Sequence, residues 1–93
     1  MIERDGERLL IRASMTMSNA RSLLEAGRAL MQPGEQVFDF SEVSEADSAA
    51  IAVMLGWLRM ASLSRSTVKF AQIPAGVRSL AELYGVSDLL PLA

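Results

Sequence analysis

The stretch Asp47-Ser48-Ala49-Ala50-Ile51-Ala52-Val53-Met54-Leu55-Gly56-Trp57-Leu58 carries no charge after its first residue. A helix on the surface of a globular protein needs only one apolar stripe. Here Ile51, Met54, Leu55 and Leu58 recur at helical spacing, and Ala50, Val53, Trp57 and Met60 form a second stripe about a third of a turn away. A chain of 93 residues buries a modest fraction of its surface around one core. The stiffer aliphatics Ile51, Leu55 and Leu58 are assigned to that core. Ala49, Ala50, Val53 and Trp57 are then expected outward or at the rim, where small residues beside a large aromatic suit a partner helix. Two placements remain open for Trp57: an interface anchor, or a cover of the core against the first or third helix.

The rest of the chain punctuates cleanly. Asp5-Gly6 is a hairpin signal between a short strand at Met1–Arg4 and a strand at Glu7–Ala13. Ser18 or Asn19 can cap a helix carrying Ala20, Leu23, Leu24, Gly27, Leu30 and Met31 on one face, ended by Pro33-Gly34. Gln36–Phe40 reads as a strand, Ser48–Leu63 as the second helix and Thr67–Ala71 as another strand. Pro74 suits the first turn of a third helix, Gly85 its terminator, and Ser87–Leu90 a last helical turn. Strand, strand, helix, strand, helix, strand, helix predicts an α/β domain over residues 1–93. Its mixed sheet has about four strands, with helices packed mainly on one side and right-handed crossovers.

Composition excludes several functions. With no cysteine and no histidine, the chain lacks thiol chemistry, the usual neutral-pH base and the commonest metal ligand. The nine basic residues are scattered at a net charge of -2, so no phosphate-tracking stripe forms and nucleic acid is not expected as a partner. Met1–Gly6 has no apolar core of a leader, and Ala49–Leu58 is far short of the ~20 residues of a membrane span. Glu42, Glu45 and Asp47 read as solvated carboxylates that favour a helix start, not as a metal site. Asp47 and Ser48 are good capping residues. No enzyme, no metal and no cofactor is expected.

Asp39-Phe40-Ser41-x-Val43-x-x-x-Asp47-Ser48-x-x-Ile51-x-x-Met54-Leu55 resembles the signature of STAS domains, a family named for sulfate transporters and anti-sigma factor antagonists. The resemblance extends from about Glu7 to Pro91. Two branches are relevant. In anti-sigma factor antagonists a partner kinase phosphorylates the serine after the aspartate, a role that would fall to Ser48. Ala49-Ala50 departs from the Ser-Gly pair usual there. The other branch is MlaB-like, and Asp47–Trp57 together with Leu80-Ala81-x-Leu83-Tyr84-Gly85-Val86-x-x-Leu89-Leu90-Pro91 looks closer to it.

The MlaB-like resemblance implies a cytoplasmic accessory subunit, peripheral to the inner membrane through its partner. That partner would be the ATPase of an ABC transporter that moves phospholipid and maintains outer-membrane lipid asymmetry. The expected partner-binding residues are Asp47, Ser48, Ala49, Ala50, Val53 and Trp57, with Ser48 as the candidate phosphorylation site. The alternative partner is an anti-sigma kinase. An uncovered apolar stripe would also let the isolated chain form a homodimer.

Overall fold

Asp5-Gly6 reverses the chain, with Gly6 at φ 64°, and pairs β1 (Ile2–Asp5) antiparallel with β2 (Arg8–Ile11). α1 (Ala20–Leu30) leads to β3 (Gly34–Asp39), parallel to β2. α2 (Ala49–Leu63) then leads to β4 (Ser66–Ala71), parallel to β3. α3 (Ala75–Leu83) and a 3-10 turn at Ser87–Leu89 complete the chain. The sheet order is β1-β2-β3-β4. This is the mixed α/β architecture read from the residues. The computed structural model describes all residues, 1–93.

Period-two alternation sorts the sheet into two faces. Leu9, Ile11, Phe38, Phe40, Val68 and Phe70 are buried under the helices. The alternate residues face away and pair in charge: Arg8 with Asp39 at 2.6 Å, Arg12 with Glu3 and Glu42 at 3.6 and 3.8 Å, Lys69 with Glu35 at 4.0 Å. One packed face and one solvated face is the pattern expected when helices cover only one side. At the outer rim of β4, Phe70 donates to the Pro91 carbonyl at 2.8 Å and accepts from the Ala93 amide at 2.9 Å. Leu92 thus forms a parallel bridge to Phe70.

α2 lies at the centre of the helix layer, touching β4 beneath it, α1 on one flank and α3 on the other. This overturns the expected orientation of its stripes. Ala49, Ala50, Val53 and Trp57, read as outward or rim residues, are 8%, 0%, 1% and 0% exposed. Leu55 and Leu58, read as core, are half-buried. Both apolar stripes are covered because the helix has three neighbours instead of one. What remains exposed is a narrow strip of Ser48, Ala52, Arg59, Ser62 and Leu63, with half-buried Leu55 at its edge.

Trp57 therefore takes the second of its two placements. Its ring stacks on Phe38, centroids 4.0 Å apart and planes at 5°. Its Nε1–H donates to the Leu23 carbonyl of α1 at 3.2 Å. That approach requires Gly27, where a Cβ would lie 2.1 Å from Trp57 Nε1. Gly56 of α2 makes the reciprocal notch, receiving Leu24 with a Cβ position 2.5 Å from Leu24 Cδ2.

The end of α1 is held by polar groups. Arg4 donates to the Leu30 carbonyl and, at 2.8 Å, to Gln36 Oε1. The buried Gln36 amide in turn donates to the Gln32 carbonyl at 2.8 Å. A cation suits the negative end of a helix, and the network accounts for a polar residue inside β3.

Two expectations follow. Gly27→Ala should destabilise the fold by about 1–3 kcal/mol, since the indole is rigid and already packed. Gly56→Ala should cost less, because Leu24 meets it with the free end of a flexible side chain; urea unfolding followed by Trp57 fluorescence checks both. The second concerns Asp39. Burial works to raise its pKa, but hydrogen bonds from the Ser41 amide and hydroxyl, together with the Arg8 guanidinium, outweigh it and hold it below the ordinary 3.8. A carboxyl with a depressed folded pKa stabilises above its unfolded value, and that contribution is lost as pH falls through the folded value. Urea midpoints should therefore fall on acidification below about 3.8, and Asp39→Asn should flatten that slope while lowering the midpoint at pH 7.

Candidate functional site

The loop before α2 is pinned to the segment before α1 by backbone. Met15 and Ala46 form a parallel bridge. The Met15 amide donates to the Glu45 carbonyl at 2.8 Å, and the Asp47 amide to the Met15 carbonyl at 3.1 Å. The Asp47 side chain completes the joint: Oδ1 accepts from the Ala49 amide at 2.8 Å, and Oδ2 from the Met17 amide at 3.1 Å. Asp47 thus satisfies one of the orphan amides at the start of α2 and ties that start to the approach to α1.

With Asp47 capping, Ser48 does not. Its backbone is already helical at φ -60° and ψ -19°, and its side chain makes no capping bond. The residue is exposed, so its hydroxyl is free at the positive end of a helix dipole. Ala52 and Leu55 follow at helical spacing on the open strip, then Arg59. Met17, 74% exposed, stands beside this end because its amide rests on Asp47. The surface is small-residue and apolar, with one unengaged hydroxyl and flanking carboxylates at Glu45 and Asp47.

Of the residues singled out from the sequence, Asp47 and Ser48 meet at this surface and Ala49 lies just beneath it. Ala50, Val53 and Trp57 lie in the core and do not join it. Truncating Trp57 to Ala would remove about 3–5 kcal/mol of packing, a large share of the ~5–15 kcal/mol that holds a domain together. Such a variant reports on folding, not on docking. Ala52, Leu55, Arg59 and Met17 were missed. A signal for them existed: Arg59 is the sole charge in α2, so the exposed face of that helix had to centre on it.

Ser48 has no histidine beside it, since the chain contains none, and no cluster of carboxylates could hold a metal ion. A cavity of about 270 Å³, lined by Phe70, Gln72, Ile73, Arg78, Leu92 and Ala93, includes none of the site residues. No helix is long and apolar enough to cross a membrane.

Comparison with known proteins bears on the family and the fold. The family model described as "Mlab, STAS domain" matches residues 1–91. No curated protein sequence matches the chain. Among solved structures, the chain is similar to a proposed anti-sigma factor antagonist from Thermotoga maritima, with a TM-score of 0.69 and 14% identity over 99% of this chain and 83% of that one. It is also similar to part of a structure described as Mglu, with a TM-score of 0.59 and 18% identity over 81% of this chain and 19% of that one. At these identities the structures speak for the fold.

The division of labour between neighbouring residues is testable. Asp47→Ala should cost about 1–2 kcal/mol through loss of the cap. Ser48→Ala should stay within about 0.5 kcal/mol, as expected of a surface change that breaks no bond. Thermal and urea unfolding of the two variants would separate them; equal losses would contradict the assignment of the cap to Asp47.

Proposed function

Because the chain belongs to the STAS domain family, we propose that it is a non-catalytic binding subunit that docks on the ATPase of a phospholipid ABC transporter and supports its assembly. The MlaB-like family description supports the transporter reading. The observation that carries the docking reading is the free Ser48 hydroxyl at the head of a strip formed by exposed Ala52 and half-buried Leu55, with the adjacent capping work done by Asp47. In this reading the subunit is cytoplasmic and reaches the inner membrane only through its partner. Ser48, Ala52 and Leu55 touch the ATPase, Asp47 and Ala49 hold the surface in shape, and the transport cycle depends on the complex. Nucleotide hydrolysis belongs to the partner.

A second reading rests on the same free hydroxyl. Phosphorylation would add about -1.5 to -2 charges at Ser48, which the α2 amides favour and the Glu45 and Asp47 carboxylates oppose. A partner surface fitted to a neutral hydroxyl would reject it. This is the partner-switching behaviour of an anti-sigma factor antagonist bound by a kinase.

One experiment addresses both. The chain is co-expressed with the ABC ATPase subunit encoded in the same genome. Ser48→Glu and Leu55→Asp are each expected to weaken the complex by at least about tenfold, or ~1.4 kcal/mol, with circular dichroism unchanged. Full retention in both variants would remove the interface. Intact mass of the protein purified from its own cells then separates the readings: a phosphate on Ser48 favours the switch.

A further inference from the structure

Two cavities lie side by side between α3 and the last residues of the chain. The first, of about 270 Å³, is the one described above. The second holds about 80 Å³. Ile73, Arg78 and Leu92 line both, so they are two halves of one groove. Its walls are held by main chain. The Phe70 amide donates to the Pro91 carbonyl at 2.8 Å, the Ala93 amide to the Phe70 carbonyl at 2.9 Å, and the Leu90 amide to the Ser87 carbonyl at 3.2 Å. On the other side Arg78, Ala81 and Glu82 share one face of α3 by their spacing. Arg21, Arg28, Arg59, Arg65 and Arg78 are all exposed, without an ion pair or a side-chain hydrogen bond. Arg78 alone among the arginines lines a cavity.

The two halves differ in chemistry. In the first, Arg78 is the sole ionisable side chain of the lining. Side chains on a helix lean toward its N-terminus, so the guanidinium reaches back toward Gln72, which lines the same half. The Gln72 amide also has no hydrogen-bond partner in the fold. Its backbone stands at φ 58°, a left-handed conformation uncommon for a residue with a Cβ and one that gathers where ligands are held. The second half is walled by Ile73, Ala81, Leu90 and Leu92, with exposed Glu82 and Ser87 beside them.

Size and charge narrow the ligand. Pockets for drug-sized molecules run from about 300 to 1,000 Å³, so this groove takes something smaller. One guanidinium matches one negative charge, and Glu82 lies one helical turn away. A phosphate ester, at about -1.5 to -2 charges, would bring more anion than Arg78 can balance. A carboxylate carries a single charge, and its two oxygens match the planar fork of a guanidinium.

We propose that this groove binds a small aliphatic monocarboxylate. Arg78 pairs with the carboxylate, Gln72 adds an amide donor, and the short chain lies against Ile73, Leu90 and Leu92. The site includes none of Ser48, Ala52 and Leu55, so it goes beyond the docking reading and does not depend on it.

The test titrates the isolated chain with acetate, butyrate and hexanoate, followed by amide chemical shifts in NMR. Saturable shifts are expected at Gln72, Ile73, Arg78 and Leu92. Affinity should rise by about fourfold per methylene, the equivalent of ~0.8 kcal/mol, until the chain fills the second half. Arg78→Gln should weaken hexanoate by at least about tenfold, with circular dichroism unchanged, and Arg78→Lys should lose less. Hexanol and hexyl phosphate should each bind more weakly than hexanoate. Absence of saturable shifts, or shifts centred elsewhere, overturns the proposal. So does equal binding by Arg78→Gln. Acetate binding as tightly as hexanoate would reduce the site to an adventitious ion only. Hexanol binding as tightly would leave an apolar crevice, and tighter binding of hexyl phosphate would contradict the charge argument. Each of these three results also overturns the assignment.

Discussion

The indole of Trp57 joins the three layers of contact on which this fold depends. One face of the ring lies flat on Phe38 of the sheet. Its N–H is bonded to α1 through the Leu23 carbonyl, at a point where only glycine leaves room. Phe38 in turn meets Phe70, and Phe70 meets Phe40 edge-on. The aromatic content of the chain is small, 5%, yet most of it forms one continuous group. A buried indole needs a partner for its N–H. Here that partner is a helix carbonyl, so satisfying one donor also sets the distance between two helices.

From that constraint comes the shape of the surface around Ser48. A helix placed between two others above a sheet can expose only a narrow sector, and in α2 that sector runs through Ser48, Ala52, Leu55 and Arg59. The loop ahead of it is fixed by the Met15–Ala46 bridge and by both oxygens of Asp47. The result is an edge whose backbone is tied by hydrogen bonds and whose Ser48 hydroxyl is free. Surfaces of this kind suit recognition.

Much of this was legible from residues alone. Asp5-Gly6, Pro33-Gly34 and Gly85 mark turns through backbone chemistry that does not depend on tertiary context, and the elements between them fall where the periodicity places them. The orientation of α2 was not legible by the same means. Periodicity distinguishes apolar from polar faces, and α2 has almost no polar face to distinguish. Stiffness of side chain is a poor substitute criterion: it placed Leu55 inside and Trp57 outside, whereas the notch at Gly27 decided the matter the other way. Which of two capping residues would act was not legible for a related reason. Asp47 and Ser48 are both competent caps, and the choice depends on Met17, thirty residues upstream, offering its amide to the aspartate. Long-range contacts of that sort leave no trace in local spacing.

The strand margin at β4 bears on how such a molecule keeps company with others. A bare strand border invites any extended peptide to extend the sheet. Here the Phe70 amide and carbonyl are already occupied by Pro91 and Ala93 of the same chain. A newcomer arriving strand-first at Phe70 finds that amide and carbonyl already engaged. At that point of the margin, the chain's own end takes the place that an extended peptide would occupy.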